Sequence, residues 1–72
     1  MMNLTEAAIG SDVIVKNILA EDDELKSFLF SLGCYSGEAV TVVSKKRGGY
    51  VVSIKDARYN IDEELAKSIE IQ

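Results

Sequence analysis

Hydrophobic positions along the chain change period several times, and each change marks an element. Leu4 to Ala8 has a helix-like opening in Thr5-Glu6-Ala7-Ala8 but is too short for more than a lead-in turn before Gly10. From Asp12 the β-branched stretch Val13-Ile14-Val15-Lys16-Asn17-Ile18-Leu19 predicts a strand. Alternation puts Val13, Val15, Asn17 and Leu19 on one face and Ile14, Lys16 and Ile18 on the other. The period then lengthens: Leu25, Phe28, Leu29 and Leu32 follow the spacing of one helical face, for a helix of about two to three turns. Asp22 or Asp23 can cap its start, the neighbouring carboxylates suit the positive end of its dipole, and Gly33 suits a left-handed residue that closes it.

Alternation returns after the Ser36-Gly37 turn. Ala39-Val40-Thr41-Val42-Val43 predicts a strand ending near Lys45, Gly48-Gly49 supplies the positive-φ residues of a reversal, and Tyr50 to Ile54 forms the return strand. Lys55-Asp56-Ala57 is a further turn into a short strand, Arg58 to Ile61. One helical turn, Asp62 to Ala66, is capped by Asp62, and Ser68 to Ile71 closes as a last short strand. Five short strands, one inserted helix and a short C-terminal helical turn describe a mainly β fold, a small, partly open barrel of the SH3-like kind. Residues 1–72 are read as a single domain.

Composition narrows the chemistry. The chain is 47% apolar and 28% charged, which is globular composition. No apolar run approaches the roughly 20 residues that cross a bilayer, and no basic-then-apolar leader opens the chain, so the expectation is a cytoplasmic protein not itself embedded in the membrane. The lone Cys34 has no intrachain disulfide partner and is placed in the core. The absence of histidine removes the commonest general acid/base and the commonest transition-metal ligand. With no nucleophile–base pair and too little chain to enclose a substrate, an enzyme is not expected.

The candidate binding residues are few. Glu21 to Glu24 could hold a hard cation or weakly bind Fe²⁺, but four adjacent carboxylates at a helix start point in different directions, which favours the capping reading. No metal ligands are therefore assigned. Lys45, Lys46 and Arg47 beside Tyr50 have the composition of a nucleic-acid patch, but a net charge of −4 argues for a solvated hairpin tip or attraction to an acidic protein surface. Gly48-Gly49 lacks the context of a phosphate loop. Phe30 falls about 140° from Leu25 around the helix, well off the apolar stripe, so it either covers the barrel rim or a loop or, with Tyr35 just past the helix, serves as a partner anchor.

Leu29-x-x-Leu32-Gly33-x-x-x-Gly37-x-x-Val40 resembles the signature of the ferrous iron transport protein A (FeoA) family. Leu4, Gly10 and the strand from Val13 resemble that family's opening; the Gly48-Gly49 turn, Val52-x-Ile54 and Ala66-x-x-Ile69-x-Ile71 resemble its ending. Phe28, Ser36 and Asp56 stand where the family often has arginine, proline and glycine. The resemblance implies an SH3-like barrel in the cytoplasm that binds and modulates the membrane ferrous-iron permease, whose cytoplasmic part is a GTP-binding domain. The expected contact set is Phe30, Tyr35, Ser36 and Gly37 with Lys45, Lys46 and Arg47, and no cofactor is expected. The alternatives are an Fe²⁺-binding protein or a nucleic-acid-binding small barrel.

Overall fold

The computed structural model describes residues 2–72, which form one antiparallel sheet and two helices joined by turns and short connections. Its strands are β1 (Met2–Asn3), β2 (Asp12–Ile18), β3 (Ala39–Lys46), β4 (Gly49–Ile54), β5 (Ala57–Asp62) and β6 (Ile69–Ile71). Helix α1 (Asp23–Ser31) lies between β2 and β3, α2 (Glu63–Ser68) between β5 and β6, and Leu4–Glu6 is a 3-10 turn. The strand order is β1-β6-β2-β3-β4-β5. The sheet therefore has six strands rather than the five expected, because Met2 and Asn3 pair with Ile71 and Glu70.

β2 serves both halves of the sheet. Asp12 to Ile14 pair with β3, whereas Val15, Asn17 and Ile18 pair with β6, across a bulge at Lys16. A bulge of this kind turns a strand from one sheet half to the other and shifts the phase of its side chains. Val15 and Ile18 are consequently buried, while Asn17 and Leu19, expected on the same face as Val15, are exposed.

The core is built from alternate residues of the β3–β4 hairpin, Val40, Val42, Val52 and Ile54, joined by Leu4, Ile61, Ile69 and Ile71. β6 is buried along its whole length, including Glu70, whose strand neighbours are Asn3 and Asn17. The β3–β4 loop is Arg47-Gly48, and only Gly48 has positive φ (+75°). Gly49 already belongs to β4, where an added Cβ would lie 3.3 Å from the Ile61 carbonyl oxygen, so close approach rather than φ crowds a side chain there.

α1 departs from the expected stripe. Only Leu29 is fully buried; Leu32 is half-buried, and Leu25 and Phe28 are 40% and 45% exposed. A nine-residue helix lying over a barrel this small meets the core along one row, so the outer members of a wide apolar stripe stay in solvent. Both helix starts follow the sequence. The Asp22 side chain accepts from the Glu24 amide at 2.8 Å, and Asp62 accepts from the Leu65 amide at 2.8 Å.

Candidate functional site

The end of α1 is fixed by a complete left-handed cap. Gly33, with φ of +91°, donates its amide to the Phe30 carbonyl at 3.0 Å, and Cys34 donates to the Leu29 carbonyl at 3.0 Å. Cys34 and Leu29 are both fully buried, which supplies the hydrophobic contact that accompanies this cap. The chain then turns at Tyr35-Ser36-Gly37-Glu38, closed by the Glu38 amide on the Tyr35 carbonyl at 3.0 Å, with Gly37 at φ of +92°. Two bonds staple this turn to the bulged strand: Gly37 donates to the Val15 carbonyl at 2.8 Å, and Val15 donates to the Glu38 carbonyl at 2.9 Å.

Rigid backbone here carries exposed rings. Phe30 is 52% exposed and Tyr35 38%, and their rings meet edge-to-face at 89° with centroids 6.1 Å apart. That geometry is a favoured one for aromatic pairs. Lys55 enters from the β4–β5 loop. Its aliphatic stem crosses Gly33, its Nζ lies 5.6 Å from the Tyr35 ring centroid, and the same Nζ donates to Glu38 Oε1 at 3.2 Å. The bond to Glu38, then that carboxylate's charge, holds the ammonium above its ordinary pKa.

Lys55 and Asp56 form the two-residue loop between paired Ile54 and Ala57, and both have positive φ, +49° and +68°. A two-residue hairpin of the mirror-image type demands that conformation, which glycine and asparagine adopt more easily than lysine. A lysine held there, with its stem and its charge both engaged, marks local strain retained at a place where side chains converge. Lys55 and Glu38 were not among the residues singled out from the sequence. The one local signal was a lysine at a loop position that favours glycine.

The other predicted residues lie elsewhere. Lys45, Lys46 and Arg47 sit at the Gly49 end of β4, and Lys55 follows its Ile54 end, so about 17 Å of strand separates the basic tip from the aromatic cluster. Lys45 Nζ instead donates to the Thr5 carbonyl at 3.2 Å. The expected contact set is thus two surfaces, because the β4 strand holds the two turns apart. Among the described residues, no three His, Cys, Asp or Glu side chains group as metal ligands. Among the described residues, no helix is long and apolar enough to cross a membrane.

Cys34 is packed into the core beneath this cap, and burial pushes its thiol from the ordinary 9.0 up to about 11. An unfolded chain loses the thiol proton first, so stability is unaffected by this group below pH 9.0 and falls as pH rises toward about 11. Denaturant unfolding at stepped pH should show that fall, and Cys34→Ala should remove it. A decline equally steep in Cys34→Ala would assign the effect to other groups.

Fold and site together define an SH3-like small barrel with a capped helix inserted between its second and third strands. Family comparison gives the particular assignment: a FeoA domain model matches residues 2–72, and the chain belongs to that family, which is associated with ferrous iron transport. A solved iron uptake regulatory protein (FeoA) is 27% identical, with a TM-score of 0.85 over 99% of this chain and 93% of that one. FeoA of Stenotrophomonas maltophilia, solved with zinc and described as a prokaryotic SH3 domain protein, is 23% identical with a TM-score of 0.87, covering 100% and 91%. A manganese-dependent transcriptional repressor shares the fold at 19% identity and a TM-score of 0.88, with this chain spanning 97% of itself and 39% of the repressor. No curated protein sequence matches.

Proposed function

We propose that this chain is a cytoplasmic accessory protein of ferrous-iron uptake that docks on the cytoplasmic GTP-binding portion of the membrane ferrous-iron permease and modulates it by contact. The observation that supports this reading is the half-exposed Phe30–Tyr35 pair, immobilised by the Gly33 cap, the stapled turn and Lys55. Aromatic anchors dominate binding energy when their conformation is set in advance, since little ordering cost remains to be met on association. Ser36 and Gly37 form the exposed turn beside the rings, and the Lys55–Glu38 pair flanks them with charges of both signs that set register. Lys45, Lys46 and Arg47, at the far end of β4, offer a separate contact for an acidic surface.

The role is contact, not chemistry. Cys34, the chain's one thiol, is enclosed and kept protonated, which suits packing rather than nucleophilic attack. The reading assigns no cofactor, and ferrous iron is the permease's cargo. Nucleic acid is disfavoured by the net charge of −4. In cells that lack their own copy of the gene, Phe30→Ala should leave ferrous-iron uptake at the level of the deletion despite normal amounts of folded protein. Full rescue by that variant would sink the proposed surface.

A further inference from the structure

The sequence places two acidic runs, Glu21 to Glu24 and Asp62 to Glu64, about 40 residues apart, each at a helix start. The fold brings Glu21 and Asp22 of the first run and Glu64 of the second to one groove of about 390 Å³ between the β2–α1 connection and α2. Leu19, Ala20 and Leu25 supply its apolar lining, and Glu21, Asp22 and Glu64 its acidic residues. Leu19 and Leu25 are 43% and 40% exposed, so the lining presents uncovered hydrocarbon. Lys67 also borders the groove, and its Nζ is drawn to Glu63 at 3.7 Å.

We propose that this groove is a second docking surface, built for a basic peptide segment that carries a bulky apolar side chain. Exposed leucines between carboxylates ask for a ligand with hydrocarbon at its centre and cations on its flanks. A bare cation fits poorly, because the carboxylates are spread around the groove and no three of the described ones gather as ligands. An anionic lipid surface would be repelled. Resting on the permease reading above, the occupant is a cytoplasmic segment next to a membrane span, where lysine and arginine are enriched beside apolar residues. Leu25 lies about 140° from Phe30 around α1, so a segment in the groove leaves the aromatic surface free.

The test is a titration of the isotopically labelled full chain with a short synthetic peptide in which a Leu-Phe pair is flanked by lysines and arginines. The expected result is saturable amide shifts confined to Leu19–Leu25 and Glu64–Ser68. Glu21→Gln/Glu64→Gln should weaken binding about three- to tenfold, as should raising salt from roughly 20 to 200 mM. Replacing the peptide's cations by glutamates, or its Leu-Phe pair by Gly-Ser, should abolish the shifts. Shifts centred elsewhere, insensitivity to the double variant, or equal binding of either control peptide would overturn the proposal. The permease takes no part in this titration. Its failure would leave the Phe30 surface standing, and failure of Phe30→Ala to change permease binding would leave a positive peptide result intact.

Discussion

Leu29→Ala is expected to lower the unfolding free energy by about 2–5 kcal/mol, the range for removing a buried leucine where the surroundings collapse only partly. Leu29 is the one fully buried residue of α1, and it also carries the contact with Cys34 and the carbonyl that accepts the Cys34 amide. Total stabilities near 0.05–0.15 kcal/mol per residue give a chain of this length roughly 4–11 kcal/mol, so one truncation removes a large share. Leu25→Ala and Phe28→Ala, on half-exposed side chains, should each cost about 1 kcal/mol or less. Urea unfolding with a common slope reads all three. Equal losses at Leu25, Phe28 and Leu29 would mean that the helix buries its full apolar stripe after all.

Gly33→Ala is expected to cost about 2 kcal/mol, and roughly 8–16 °C in Tm. One part is the φ of +91°, which an L side chain tolerates poorly. The other is steric and smaller, since an added Cβ would lie 2.8 Å from Lys55 Cδ and 2.9 Å from Cε, so the flexible lysine stem must shift beside Tyr35 and Glu38. The two parts separate in a Lys55→Ala background, where only the backbone cost of Gly33→Ala remains. A smaller loss in that background is the expected outcome. An identical loss would show that the lysine stem yields freely and does not hold the turn.

These two residues also show what a single sequence reveals here and what it hides. The Gly33 cap, the Asp22 and Asp62 caps and the β3–β4 hairpin are local devices, set by residues within a few positions of one another, and each could be read directly. The inward face of β2 could not, because the bulge at Lys16 is imposed by pairing with β6, more than 50 residues away. β1 escaped for the same reason: two residues become a strand only through Ile71 and Glu70.

The candidate site divides along the same line. Phe30's place off the apolar stripe was readable from its angle on the helix, a local property, although stripe members Leu25 and Phe28 are nearly as exposed, and its contact with Tyr35 spans five residues. Lys55 reaches that cluster only because β4 returns the chain to the end of α1 before it turns into β5, so its part depends on topology. Lys45, Lys46 and Arg47 illustrate the reverse. Their charge was plain, but the strand direction that carries them away from Phe30 was not. The groove likewise exists only once the fold brings α2 opposite the β2–α1 connection.

The central claim, that a pre-set aromatic pair docks on the permease, is tested most directly by titrating the intact chain against the isolated cytoplasmic GTP-binding portion of the ferrous-iron permease. Saturable binding is expected, weakened at least about tenfold in Phe30→Ala and in Tyr35→Ala, with both variants unfolding near the wild-type midpoint. Wild-type affinity in both folded variants would contradict it.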